Sequence, residues 1–183
     1  MQMKVSPQAA SCGAVVSSLD LARDLSPDLV AEIRDVWLRH QVLAFPDQDM
    51  SLEDLERFAK TLGSFGVDPY FDSVPGHPHV AQVRREADET SPLFAETWHS
   101  DWSFLEHPPT ATVLYGNVIP AVGGDTLFAN QYAAWEALPV ATRERLQGLQ
   151  GVHSARLGYA RDGLYGERDT GRSMAIRYSD DAL

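Results

Sequence analysis

Two side chains that can bind a metal ion lie close together in the run Thr97–Phe104. Read as a β-strand, this run alternates between two faces, so the imidazole of His99 and the carboxylate of Asp101 point the same way. Such a pair can bind one metal ion from adjacent positions. It is two-thirds of the two-histidine, one-carboxylate set that holds ferrous iron and leaves positions open. The alternative is a strand face exposed to water, on which a His-x-Asp pair has no function.

The composition indicates a single globular domain over residues 1–183. Hydrophobic side chains make up 44% of the chain and charged ones 22%, which is ordinary for a globular protein. The formal net charge of -11 disfavours nucleic acid and anionic membranes as partners. Cys12 is the only cysteine, so an intrachain disulfide and a multi-cysteine metal site are excluded. We expect no signal peptide, no membrane span and a cytoplasmic location.

Local signals predict helices early in the chain and strands around His99. Ser26 followed by Pro27 starts a helix that ends near His40, and Ser51 with Asp54 starts a second helix that stops at Gly63. Two further helices are predicted at 132–138 and 140–149. Besides the run that holds His99, strands are predicted at 13–19, 42–45, 80–83, 111–119 and 125–128. This order favours an α+β fold with a largely antiparallel sheet.

The segment 154–181 is rich in glycine, arginine and aspartate and has no sustained periodicity, so we expect a lid or a mobile loop. Its arginines either meet an anionic substrate or lie in a solvated loop; they are Arg156, Arg161, Arg168, Arg172 and Arg177. A second close histidine pair, His77-Pro78-His79, follows a glycine, which favours a loop that faces solvent.

Several spaced motifs, in order, resemble the TauD/TfdA family of non-haem Fe(II)/2-oxoglutarate-dependent dioxygenases. They are Leu43-Ala44-Phe45, Trp98-His99-Ser100-Asp101, Pro108-Pro109, Gly123-Gly124-Asp125-Thr126-Leu127-Phe128 and Ala133-Ala134-Trp135-Glu136-Ala137-Leu138-Pro139. The likeness extends from about residue 15 to about residue 155. It implies a double-stranded β-helix (jelly roll) core with flanking helices, and this barrel would be incomplete in the chain.

The resemblance also assigns roles to individual residues. It makes His99 and Asp101 the catalytic Fe(II) ligands, and Thr126 the residue that binds the far carboxylate of 2-oxoglutarate. The reaction implied consumes O2, hydroxylates a small organic substrate and releases succinate and CO2. By its own residue type, Thr126 is an ordinary strand residue.

The substrate is less well defined by the sequence. The positions that align with substrate contacts of taurine dioxygenase are Asp68, Phe71 and Ala95, and none of them reproduces its polar set. A carboxylate at Asp68 would repel a sulfonate. The substrate therefore stays open among small organic acids, amino-acid-like compounds and aryloxy acids.

One part of the family pattern is missing. The family's distal histidine ligand and its 2-oxoglutarate-binding arginine lie towards the C-terminus, and neither His107 nor His153 matches the distal ligand. We expect that the sequence is the N-terminal part of a longer protein, which could form a homo-oligomer. The alternatives are a catalytically silent jelly-roll protein that lacks the third ligand and, less favoured, a zinc hydrolase that uses the same pair.

Overall fold

The computed structural model describes residues 3–8, 11–166, 174 and 176–182. The chain divides into two compact units: Met1–Leu62 with Leu114–Gln150, and Gly63–Val113 with Gly151–Leu183. Among the described residues, the strands form one sheet of three strands and one of two, with no closed barrel. The predicted mixture of helix and sheet is therefore confirmed. No helix among the described residues is long and apolar enough to cross a membrane.

The first unit is built on a small sheet. Its strands are β1 (Lys4–Pro7), β2 (Ala14–Ser17) and β3 (Leu43–Ala44). β1 pairs antiparallel with β2, and β2 pairs parallel with β3. Val16 at the centre of β2 is completely buried. The predicted strands at 13–19 and 42–45 are confirmed, although each is shorter than predicted.

Two helices complete the core of this unit. Helix α1 spans Pro27–His40 and buries Ile33 and Val36. Its N-cap, Ser26, accepts a hydrogen bond from the backbone N–H of Leu29 at 3.3 Å, as the sequence predicts. Helix α2 spans Leu52–Leu62 and buries Leu55 and Phe58.

The start of α2 is a reciprocal cap. The Ser51 backbone N–H donates to a carboxylate oxygen of Asp54 at 3.0 Å, and the Asp54 backbone N–H donates to the Ser51 hydroxyl at 3.1 Å. The hydrogen bonds that the Ser51 backbone N–H and hydroxyl donate to the Asp54 carboxylate, with the adjacent guanidinium of Arg57, lower the pKa of this carboxyl. The predicted start of α2 is confirmed.

The rest of the first unit differs from the prediction. Helices α3 (Gln131–Glu136) and α4 (Val140–Leu146) are present but shorter than predicted. Two predicted strands, at 111–119 and at 125–128, are wrong, because both segments have irregular backbone. The first of these segments begins in the second unit. Their apolar side chains are largely exposed: Leu127 is 70% and Val118 is 87% accessible. Strand-like residues do not form a strand where no neighbouring strand pairs with them.

The second unit contains a hairpin of β4 (Ser73–Val74) and β5 (His77–Ala81), joined through Gly76 with a positive φ of 86°. The predicted strand at 80–83 therefore begins and ends earlier. The interpretation of His77-Pro78-His79 as a loop is wrong: both histidines lie in β5, and the ring of His79 stacks on Phe65 with centroids 3.9 Å apart.

The core of the second unit is an aromatic cluster. Its members are Tyr70, Phe71, Phe94, Trp102, Phe104 and Tyr159. Tyr159, at the end of helix α5 (Arg156–Tyr159), stacks on Tyr70 with ring centroids 4.0 Å apart. Trp102 lies next to the predicted metal ligand Asp101, so the aromatic cluster supports the segment that carries the ligands.

Segment 154–181 contributes α5 and the buried side chains of Ala155 and Ala160 to this unit. Arg177 joins the segment to the loop before β4: its backbone N–H donates to the Tyr70 carbonyl at 2.8 Å, and its guanidinium donates to the Phe71 carbonyl at 2.6 Å. Arg168 and Arg172 lie outside the described residues. A lid function for this segment stays a prediction.

Candidate metal centre

The predicted ligands lie on a turn and not on a strand. Residues 97–105, here called the His-Asp turn, have no strand pairing, and the Leu105 N–H closes a turn on the Trp102 carbonyl at 3.0 Å. Trp102 has a positive φ of 51°. Trp98, which strand alternation would place on the same face as Trp102 and Phe104, is 70% exposed, whereas those two side chains are half-buried. The strand prediction is therefore wrong because burial in the aromatic cluster, and not strand pairing, orders this segment.

The turn nevertheless brings the two predicted ligands together. Nε2 of His99 lies 3.1 Å from Oδ1 of Asp101. Nδ1 of His99 lies 2.7 Å from the Thr97 carbonyl oxygen, which can only accept, so Nδ1 carries the ring proton and donates it. In this tautomer of the neutral imidazole, the lone pair of Nε2 faces a carboxylate oxygen of Asp101. A metal ion bound by both atoms would satisfy this arrangement.

The separation of these two atoms suits one metal ion. Two ligands in adjacent positions of an octahedral ion, each about 2.1 Å away, are about 3.0 Å apart. The observed separation of 3.1 Å agrees with this value. A nitrogen and a carboxylate oxygen are also donor types that Fe(II) accepts. His99 and Asp101 therefore fit two of the three protein ligands of a facial iron site. Their side chains are 47% and 50% exposed, so a metal ion can reach them.

Two neighbours of this pair were not expected from the sequence. The hydroxyl of Thr112 donates to Oδ2 of Asp101 at 2.8 Å. Nδ1 of His153 lies 2.9 Å from the Ser103 hydroxyl. The sequence pattern predicts neither contact, because the partners are 11 and 50 residues apart. The four residues also lie in backbone that is neither helix nor strand.

The part of the chain that the structure describes places no third protein ligand beside the pair. Within the described residues, no group of three or more histidine, cysteine, aspartate or glutamate side chains is arranged to hold a metal ion. His153 bonds to Ser103 in the His-Asp turn and does not join His99 and Asp101.

Tyr159 connects the aromatic cluster to the centre electrostatically. Burial raises the pKa of its hydroxyl well above the ordinary value, and the carboxylates of Asp68 and Asp101 raise it further. The neutral phenol is therefore the stable form in the fold, and it lies within electrostatic range of the Asp101 ligand. Burial also raises the pKa of the Tyr70 hydroxyl.

The other predicted site residues have different surroundings. Oδ1 of Asp68 accepts hydrogen bonds from the backbone N–H groups of Tyr70 and Phe71, both at 2.9 Å. Phe71 is buried in the aromatic cluster, with 8% of its surface accessible. Ala95 is exposed and has a positive φ of 58°. Asp68 and Phe71 thus have clear structural roles, and their contact with a substrate stays a prediction.

Thr126 lies in the first unit, on an exposed and irregular segment. The turn before it depends on glycine: Gly123 and Gly124 have φ values of 84° and 76°, which are in the left-handed region. The role of Thr126 towards 2-oxoglutarate stays a prediction.

An open cleft of about 630 Å³ lies in the second unit and is lined by Arg156, Arg161, Asp162 and Asp180, among others. The Arg156 guanidinium pairs with Asp162, and Nε of Arg161 lies 3.3 Å from a carboxylate oxygen of Asp180. Each positive charge thus has an acidic neighbour. The cleft has mixed charge and is not a ready-made site for an anion.

Comparison with known proteins identifies the family. Residues 4–180 match the family described as "Taurine catabolism dioxygenase TauD, TfdA family". The chain therefore belongs to the TauD/TfdA family of dioxygenases. It is similar to an alpha-ketoglutarate-dependent sulfate ester dioxygenase of Pseudomonas putida, with 35% identity over 161 residues that cover 87% of this chain and 52% of that protein.

Two further similarities agree with this assignment. An (S)-phenoxypropionate/alpha-ketoglutarate-dioxygenase of Sphingobium herbicidovorans is 30% identical over 171 residues, which are 88% of this chain and 59% of that protein. The crystal structure of a taurine dioxygenase from Burkholderia xenovorans superposes with a TM-score of 0.71 and 36% identity, covering 82% of this chain and 53% of that one. The chain thus spans about half the length of these relatives.

Proposed function

We propose that the protein is an Fe(II)- and 2-oxoglutarate-dependent dioxygenase that hydroxylates a small organic substrate and releases succinate and CO2. The observation that carries this proposal is the 3.1 Å approach of His99 Nε2 to Asp101 Oδ1, with Nδ1 of the same ring 2.7 Å from the Thr97 carbonyl oxygen. Family membership supports the same chemistry, because the relatives named above depend on alpha-ketoglutarate, which is 2-oxoglutarate.

In this proposal His99 and Asp101 hold Fe(II) as two of the protein ligands of the centre. The bound iron, with 2-oxoglutarate and O2, would supply the oxidising power for C–H hydroxylation. The protein holds the imidazole of His99 through the contact of Nδ1 with the Thr97 carbonyl, and the Thr112 hydroxyl donates to Oδ2 of Asp101. The half-exposed pair also needs cover during turnover, since oxidative intermediates must be shielded from water.

The proposed scaffold is the double-stranded β-helix of the family. Its support is the structural similarity to the Burkholderia xenovorans enzyme over 82% of this chain. On this scaffold, the exposed hydroxyl of Thr126, after the glycine turn of Gly123 and Gly124, would bind the far carboxylate of 2-oxoglutarate.

The names of two relatives support a narrower class of substrate than the sequence alone indicates. Two relatives are named for a sulfate ester and for phenoxypropionate, which are both small anions with an oxygen-linked carbon. We propose a substrate of this class in preference to taurine. Ala95 is the substrate-contact candidate that this structure leaves exposed, since Phe71 is buried and Asp68 caps its own loop.

The test is succinate formation by the protein expressed from its native gene. Fe(II), 2-oxoglutarate and O2 are supplied with an alkyl sulfate, an aryloxypropionate or taurine. We expect turnover with one of the first two substrates and its loss in His99→Ala and Asp101→Ala, because each change removes a proposed ligand. His107→Ala, which alters an exposed histidine outside the pair, should retain turnover.

The alternative is a catalytically silent protein with the family fold, which would form no succinate with any substrate and would not retain iron. Succinate formation that persists in both ligand variants would contradict the proposed roles of His99 and Asp101.

A further inference from the structure

Thr112 is a neutral side chain placed directly against a proposed ligand. Its hydroxyl donates a hydrogen bond to Oδ2 of Asp101 at 2.8 Å, which is the normal length for this type of bond. Both residues are exposed and belong to the second unit. A carboxylate can only accept, so the direction of this bond is fixed, with Thr112 as the donor.

The two oxygens of Asp101 are thereby made different. Oδ2 is engaged by Thr112, whereas Oδ1 faces Nε2 of His99. A carboxylate held at one oxygen cannot rotate freely about its Cβ–Cγ bond, so the other oxygen keeps one direction. The imidazole is held in the same way, because its Nδ1–H donates to the Thr97 carbonyl at 2.7 Å. Each proposed ligand thus has one atom fixed by a neighbour and one atom turned towards the other ligand.

We infer that Thr112 is a positioning residue of the metal centre, which presents Oδ1 of Asp101 as the metal-binding oxygen. The inference rests on the proposed role of His99 and Asp101 as metal ligands. Thr112 contacts no metal in this arrangement and acts through Asp101. A hydroxyl suits this function because it satisfies Oδ2 without adding a positive charge that would repel a divalent cation.

The experiment measures binding of Co(II), a redox-stable substitute for Fe(II), by calorimetric titration of the full chain. Thr112→Val keeps the size and β-branching of the side chain and removes the hydroxyl. We expect it to weaken Co(II) binding about tenfold, as is typical for loss of a hydrogen bond to a metal ligand. Thr112→Ser keeps the hydroxyl and should bind Co(II) as tightly as the wild type. A structural role of the side-chain volume would give the opposite order, since serine is the smaller residue.

Thr110→Val is the matched control, because Thr110 is an exposed threonine in the same loop. It should leave Co(II) binding unchanged. Thermal unfolding of each variant checks the fold, and Thr112→Ala replaces Thr112→Val if the latter does not fold.

The outcomes separate this inference from the proposed function. If Co(II) binding is lost in His99→Ala and Asp101→Ala but is unaltered in Thr112→Val, the ligand pair stands and the inference about Thr112 is wrong. The inference also fails if Thr112→Ser binds as weakly as Thr112→Val. If His99→Ala and Asp101→Ala bind Co(II) as the wild type does, the metal centre itself is wrong.

Discussion

Phe71 offers a direct test of whether the aromatic cluster holds the second unit together. Its side chain is 92% removed from solvent, since 8% remains accessible. The ring makes edge contacts with Phe94 and Trp102 at centroid distances of 5.4 and 5.9 Å, and with Tyr159 at 6.2 Å. Phe71→Ala removes a buried ring and leaves a cavity among these neighbours. We expect the free energy of unfolding to fall by about 3–5 kcal/mol.

The measurement is urea-induced unfolding followed by circular dichroism, with linear extrapolation to water. Phe71→Leu keeps most of the apolar volume and should lose only about 1 kcal/mol. Val67→Ala is the surface control in the same unit, because Val67 is 79% exposed, and it should change stability by less than about 0.5 kcal/mol.

The comparison also separates two interpretations of Phe71. A residue that only contacts substrate would change activity and leave the unfolding midpoint unaltered. If Phe71→Ala is as stable as Val67→Ala, the reasoning from burial and ring contacts is refuted. The prediction from the sequence that Phe71 contacts the substrate would then be favoured.

Two further predictions concern groups that stabilise the fold. Because the folded-state pKa of Tyr159 is raised above that of the unfolded chain, its neutral form contributes stability in full below pH 10, and this contribution is lost as pH rises through the folded-state pKa. Tyr159→Phe should therefore reduce the loss of stability measured by urea unfolding between about pH 8 and about pH 11; an unchanged alkaline loss would contradict this. Ser26→Ala removes the N-cap of α1 and should lower the free energy of unfolding by about 1 kcal/mol, whereas Ser26→Asp, which can still accept the hydrogen bond, should not. Equal losses in both variants would exclude the cap as the cause.

The helices of the first unit could be predicted because their signals are local. Ser26 bonds to a backbone group three residues away, and Ser51 and Asp54 bond to each other within one turn. Such contacts form from neighbouring residues alone, so the sequence pattern and the structure agree.

The backbone around the site could not be predicted in the same way. The alternation in Thr97–Phe104 fits a strand, but strand formation needs a partner whose identity no local pattern gives. The approach of His99 to Asp101 follows from their spacing all the same, since residues two positions apart can converge on a turn as well as on a strand face. Thr112 was not found, because its bond to Asp101 depends on how an irregular loop returns to the His-Asp turn.

The hydrogen bond between the Arg177 guanidinium and the Phe71 carbonyl has a consequence for biosynthesis. It joins residues 106 positions apart. At ribosomal speeds of about 5–20 residues per second, Phe71 is made about 5–20 s before its partner. The aromatic cluster also needs Tyr159, so its early members, from Tyr70 to Phe104, are made before the cluster can be completed. β1 to α2 lie within the first 62 residues and can associate meanwhile. Synthesis thus orders assembly, and the His-Asp turn is made before α5 can complete the cluster that supports it.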